Sequence, residues 1–315
     1  MRCLTAIWLL LLGCEGAPAV PARLEQVAAV PQSNPDTPAA FDVDDSLVIM
    51  DNTTGLRRLV GTRLISIPNG ALFTFGVMCT DRDGTLIVGS ANTTGLARLE
   101  PTDRLVDIIP SVGQSVTSCT ATPSGAYHVL PFGAVNTLVL APGETTWIDS
   151  MRALDRTSRT LDGTIYAILD GDIVRLAADD SAVVVASCAE LSGGLCGGLA
   201  FAGSDGAGHL HLAIPGLPDL HILDPDQGTY RGVALPVPLE ILTVATGPQY
   251  ALVLASDPER DAERSLWLLP DGDSELQRFA SLGAPFELGF LKILVDHAGV
   301  GHVIAGDKLQ RVVLQ

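Results

Sequence analysis

The octapeptide Asn52-Thr53-Thr54-Gly55-Leu56-Arg57-Arg58-Leu59 returns 40 residues later as Asn92-Thr93-Thr94-Gly95-Leu96-Ala97-Arg98-Leu99, unchanged at seven of eight positions. A chain that repeats at a fixed period must fold as similar units, each burying its apolar face against its neighbours. From Ala40 onward no long amphipathic helix pattern occurs. Short apolar or alternating runs follow one another instead, among them Leu47–Met50, Thr85–Val88, Tyr127–Leu130, Thr164–Leu169, Leu210–Ile214, Tyr250–Ala255 and Val300–Ala305. Each follows a turn signal such as Asp83-Gly84, Ser124-Gly125 or Asp162-Gly163, the mark of β-hairpins. A period near 40 residues with four short strands per unit is the signature of a propeller blade.

The second unit reads Leu72–Thr80, Thr85–Ser90, Leu96–Glu100 and Leu105–Ile109; the fifth reads Gly198–Ala202, Leu210–Pro215, Leu220–Asp224 and Thr229–Leu235. Counting on gives seven units. The last offers only three strands, Glu287–Val295, Val300–Ala305 and Lys308–Leu314. An open edge invites foreign pairing, so a propeller has to close its ring. Leu24–Val30 precedes the first unit and can supply the missing outer strand. The expectation is an all-β, seven-bladed β-propeller of four-stranded blades, closed by that N-terminal strand. Six blades is the rival, should the first unit be degenerate, and a stacked sandwich leaves the repeat unexplained. The polar stretch 257–264, DPERDAER, stretches the sixth interval and departs from the repeat.

The repeats have no Trp-Asp dipeptide, no Trp in every unit and only one cluster of Gly pairs, which separates them from WD, quinoprotein-type and kelch blades. The phrases DRDGTLIVGSANTTGLARLEP (81–101) and LPDLHILDPDQGTYRGV (217–233) resemble the lactonase-like, NHL-like and YVTN-type propellers. The resemblance spans roughly residues 40–315 and speaks to fold rather than chemistry.

Arg2 precedes an apolar run from Leu4 to Leu12, interrupted only by Thr5 and too short to span a bilayer. It has the length of a signal-peptide core. The run ends in Leu11-Leu12-Gly13-Cys14, which resembles the lipobox of bacterial lipoproteins, where the Cys thiol carries the lipid. Leu12 is larger than the residue usual at that place, and cleavage after Ala17 or Ala19 is the alternative. The resemblance implies a signal peptide over 1–13, lipid attachment at Cys14, a linker and possible closing strand over 14–40, and the propeller over 41–315. Glu15, in place of the Asp tied to inner-membrane retention, implies the outer membrane. The membrane would be reached through the lipid alone; which face of it the protein occupies stays open.

The net charge is −17, and loss of Arg2 with the signal takes it to −18. Such a chain repels nucleic-acid phosphates, so no nucleic-acid partner is expected. A monomer is expected. Cys3 leaves with the signal and Cys14 carries lipid, leaving Cys79, Cys119, Cys188 and Cys196. An even number in an oxidising compartment permits two disulfides. Cys188 and Cys196 close the short loop CAELSGGLC, so they pair first, which leaves Cys79–Cys119. No CxxC spacing points to a metal.

No catalytic set emerges. Ser192-Gly193-Gly194 lacks the context of a nucleophile elbow, and the run Gly193 to Gly198 lacks the Lys-Ser/Thr of a phosphate loop. No helix is expected there. Enzymes of the resembled group hold a divalent cation at the channel mouth, and Asp81, Asp83 and Asp296, near inner-strand ends, are the candidates. A hard cation needs several oxygens converging on one point, whereas turn Asp residues mostly cap their own backbone. No metal or other cofactor is therefore assigned. His209 and His211 would share one strand face, with His221 on the next strand, but no fourth zinc ligand is evident. His128, His297 and His302 are isolated. Two functions remain: a lipid-anchored cell-envelope propeller acting as a non-enzymatic binding or scaffold protein for a protein or glycan, with 257–264 as contact loop, or a metal-dependent lactonase- or lyase-like enzyme.

Overall fold

Leu47–Asp51, Leu86–Ser90 and Ile165–Leu169 are buried at every residue. Full burial with no in–out alternation requires protein on both faces of the sheet. Among the outer strands, Arg63–Ser66 is mostly exposed and Ala182–Ser187 is exposed over its first half. This gradient from buried to solvated strands fits sheets set radially around an axis. The computed structural model describes residues 22–30, 38–51, 53–73, 76–90, 95–108, 111–134, 136–150, 154–160, 162–169, 172–192, 200–214, 218–236, 238–260, 263–272, 274–283 and 291–314.

Those residues form seven four-stranded antiparallel sheets, the blades of a seven-bladed propeller. Blade I holds Ala39–Phe41, Leu47–Asp51, Gly55–Val60 and Arg63–Ser66; blade II holds Gly76–Thr80, Leu86–Ser90, Leu96–Leu99 and Leu105–Ile108. Blade III runs from Val116–Ala121 to Ile148–Ser150, and blade IV from Asp155–Arg159 to Ala182–Ser187. Blade V runs from Ala200–Ser204 to Thr229–Ala234, and blade VI from Glu240–Thr246 to Gln277–Gly283. Blade VII takes Leu291–Val295, Gly301–Ala305 and Lys308–Leu314 from the end of the chain and Ala22–Ala29 from its start. The N-terminal strand lies antiparallel to Lys308–Leu314, with Ala22 opposite Leu314 and Ala29 opposite Lys308. The six-bladed alternative is thereby set aside, because the first unit is a full blade.

Apolar clusters weld consecutive blades. Val48, Met50 and Leu56 of blade I pack on Leu86, Val88 and Leu99 of blade II. At the closing seam Ala28, Ile304 and Leu309 of blade VII meet Phe41, Leu47 and Ile49 of blade I. Cys79 and Cys119, on the inner strands of blades II and III, stand at disulfide distance with Cα atoms 5.8 Å apart. Closing that 40-residue separation is worth at most about 4 kcal/mol of chain entropy. The double variant Cys79→Ala/Cys119→Ala should therefore unfold at clearly lower denaturant, with the same loss on reducing the parent protein. An unchanged midpoint would contradict the cross-link. The Cys188 side chain and Cys196 lie outside the described residues, as do Cys14, the signal segment and the run Gly193 to Gly198.

Two details depart from the sequence reading. Cys188–Ser192 forms a short α-helix where none was expected, leading out of blade IV. The stretch 257–264 is less a loop than a longer hairpin. Asp257 and Glu263 pair as the last rung of two eight-residue strands, Tyr250–Asp257 and Glu263–Pro270. No helix among the described residues is long and apolar enough to cross a membrane.

Candidate functional site

Six inner strands turn back through the same five-residue loop. The loops are Asp42–Ser46, Asp81–Thr85, Thr122–Ala126, Thr160–Thr164, Asp205–His209 and Asp296–Val300. In each, the first N–H donates to the fifth carbonyl and the fourth N–H to the first carbonyl. The fourth position has positive φ, from 59° at Asp45 to 90° at Gly125, and Gly fills it in five of the six. That conformation carries no steric cost without a Cβ. These loops ring one end of the central channel.

A cavity of about 590 Å³ opens at this end. Strand residues such as Val244, Ile293 and Leu294 form its apolar wall, and Arg82, Arg159 and Asp162 stand among its polar lining. Arg159 reaches from the inner strand of blade IV to blade II. Its Nη1 donates to the Asp81 carbonyl and its Nη2 to that of Arg82. Burial lowers its pKa, and among the described residues no carboxylate lies within ion-pair distance. The side chain also lines a smaller cavity of about 150 Å³ that includes Cys79, Cys119 and Thr120.

The metal candidates stand at this rim with their oxygens already engaged. Asp81 Oδ1 accepts the Arg82 N–H at 2.7 Å, and Oδ2 accepts the Tyr127 hydroxyl at 3.0 Å. Burial, then the Asp81 charge, pushes the Tyr127 phenol up to about 12. Asp83 Oδ1 accepts the Thr85 N–H at 3.1 Å while Oδ2 takes Arg98. Burial alone would raise the Asp83 pKa; the bonds from Thr85 and Arg98 outweigh it and lower it. Asp296 Oδ1 accepts the Val300 N–H at 2.8 Å, and Oδ2 sits 3.0 Å from His302 Nε2. Among the described residues no three His, Cys, Asp or Glu side chains converge on one point. Among the described residues, Asp81, Asp83 and Asp296 do not form a convergent oxygen set of the kind a divalent cation takes.

The repeated octapeptide takes its meaning here. Arg98 holds Asp83 and lies 3.7 Å from Asp81. Arg58, at the same place in blade I, meets Asp42 at 2.6 Å and Asp44 at 3.2 Å, and Asp103 of blade II at 2.5 Å. The third strand thus ties down the inner turn of its own blade.

The histidines separate. His209 precedes its strand and holds Asp205 Oδ2 at 3.0 Å through Nδ1. His211, 3.8 Å from the same oxygen, bonds Thr246 of blade VI through Nδ1 at 3.0 Å. Burial pushes its imidazole down to about 4. His221 pairs with Leu212, so it faces blade IV, opposite His211. Burial lowers its pKa too. His128 is half-buried in blade III, and desolvation likewise lowers its pKa. His297 bonds Asp45 across the closing seam at 2.8 Å.

Arg159 escaped the sequence reading, although a signal for it exists. The residue before each inner turn is Phe41, Thr80, Ala121, Arg159, Ser204, Thr246 and Val295, and only one of these is charged. Lys292, on the inner strand of blade VII, was missed as well; burial pushes its amine down to about 8. At the opposite end of the ring, beneath the long hairpin, a pocket of about 230 Å³ is lined by Pro236, Pro238, Trp267, Arg260 and Arg278.

No family model and no curated protein matches the sequence. Solved structures do match the fold. A streptogramin B lyase superposes with a TM-score of 0.63 at 10% identity, covering 95% of this chain and 100% of its own. A virginiamycin B lyase from Staphylococcus aureus gives 0.65 at 9% identity over 93% and 100%. The extracellular domain of a hybrid two-component system from B. thetaiotaomicron gives 0.62 at 12% identity, over 94% of this chain and 41% of that one. Likeness at this identity establishes a shared propeller fold.

Proposed function

We propose that this chain is a lipid-anchored cell-envelope propeller, held through Cys14 in the outer membrane as a monomer, that binds a protein or glycan partner without catalysing a reaction. The observation that carries this reading is the state of the rim acids. Asp81, Asp83 and Asp296 are spent on backbone caps, a tyrosine, an arginine and a histidine, so none stands ready as base or ligand. The blade VI hairpin supplies the contact surface. It projects beyond its repeat equivalents, and Arg260 at its tip is 75% exposed. Loops that depart from a repeat commonly carry its function. The extracellular sensor domains that share the fold are consistent with this use.

Replacing residues 258–262 with a two-residue turn should abolish cross-linking to envelope partners while leaving the melting temperature within a few degrees. Undiminished cross-linking would overturn the hairpin's role. The competing reading, a metal-dependent lactonase- or lyase-like enzyme, draws on the lyases that share the fold. It requires the rim carboxylates to abandon their present partners.

A further inference from the structure

The end of the ring from which the chain leaves toward Cys14 is fixed by the pairing of blade VII. Ala22 lies opposite Leu314, and Ala29 opposite Lys308. Lys308 follows the hairpin that ends at Ala305, itself opposite Leu291 at the start of the inner strand. Val295, at the other end of that strand, leads into the Asp296–Val300 turn at the cavity mouth. Ala22 therefore sits at the cavity end. The blade VI hairpin, Phe132 and Leu72 belong to the opposite end, because they lie in second-to-third-strand turns or in crossings between blades.

We infer that the face bearing the inner turns and the cavity mouth is the one held toward the bilayer, and that the hairpin face points away from it. The inference rests on the lipid anchor proposed above. Seven residues, Glu15 to Pro21, separate the lipidated Cys from the first strand. From Cys14 to Ala22 a chain of that length reaches at most about 28 Å. To lay the hairpin face on the membrane, the tether would have to run back along Ala22–Ala29, about 23 Å of strand, and past the turns beyond it. That demands nearly full extension, and ordering each residue costs about 1 kcal/mol. The cavity face needs no such extension. Asp162 and Asp179 stand exposed on it, and the exposed Asp44, Asp45, Asp83 and Asp226 there are paired with Arg58, His297, Arg98 and Arg175. This mixed surface suits a neutral, zwitterionic headgroup layer. The cavity would open onto the gap between protein and lipid.

The test uses the full lipidated protein in phosphatidylcholine vesicles carrying a headgroup acceptor dye. A donor is placed by an unnatural amino acid at Glu144 or, separately, at Phe132. Both sites are exposed and both lie on blade III, far from the tether, on opposite faces. Vesicle flotation of the parent and of Cys14→Ser is measured alongside. The expected result is Cys14-dependent flotation with several-fold stronger energy transfer from position 144 than from 132. Flotation with equal or reversed transfer would overturn the orientation alone. Flotation that does not depend on Cys14 would overturn the anchor, and the orientation with it.

Discussion

Removing residues 22–30 should open the ring. Blade VII would keep three strands and expose the edge of Lys308–Leu314, which the N-terminal strand now covers. The deletion also strips the closing seam of Ala28 and Val30, 4% and 2% exposed. Burial of one valine is worth ~1.5–3 kcal/mol, and each lost backbone bond, such as Val30 N–H to the Asp307 carbonyl, adds about 1 kcal/mol. The total exceeds ~5 kcal/mol, a large share of the ~5–15 kcal/mol that holds a domain. Thermal melts and limited proteolysis of the mature domain with and without the strand measure it. We expect loss of a cooperative transition, restored in part by adding residues 22–30 as a peptide. A deletion variant melting within a few degrees of the parent would show that the ring closes by other means.

Arg58→Ala should be the most damaging single substitution among the ion pairs. The Arg58 side chain is 6% exposed, and its partner Asp42 is fully buried. Removing the guanidinium strands the Asp42 charge in the interior and cuts the tie to Asp103 of the next blade; breaking such a buried pair costs about 3–5 kcal/mol. Arg98→Ala is the internal control. It occupies the same repeat position, but Arg98 is 37% exposed and its nearer partner Asp83 52%, while the buried Asp81, 3.7 Å away, keeps its bonds from the Arg82 N–H and the Tyr127 hydroxyl, so the loss should be the smaller one, about 1 kcal/mol. Denaturant unfolding of the two variants separates them. Equal losses would mean that repeat position, rather than burial, sets the energy.

The contrast between these two arginines shows what the sequence could reveal. The fold was legible because its devices are local. A Gly in left-handed conformation closes a turn, an Arg in the third strand ties that turn down, and both recur at the repeat period. The missing strand of the last blade was legible for a topological reason, since the ring has to close and Leu24–Val30 was at hand. Burial was not legible: Arg58 and Arg98 read alike, and only packing between blades makes one interior and the other half-solvated. Side-chain direction was hidden for the same reason. His221 parts from His211 because the register pairs it with Leu212, and one rung of slip would reverse that. Arg159 acts between two blades, so no single repeat announces its reach. The length of the blade VI hairpin was visible as an irregularity, but its strand character was masked by the charged residues at its tip.

If the rim acids serve the turns and not a cation, the purified domain lacking residues 1–14 should hold no stoichiometric Ca²⁺, Mg²⁺ or Zn²⁺ after exchange into metal-free buffer, as measured by its divalent-metal content. One tightly held ion per chain, lost on Asp81→Ala or Asp296→Ala, would contradict it and make the lyase-like reading the better one.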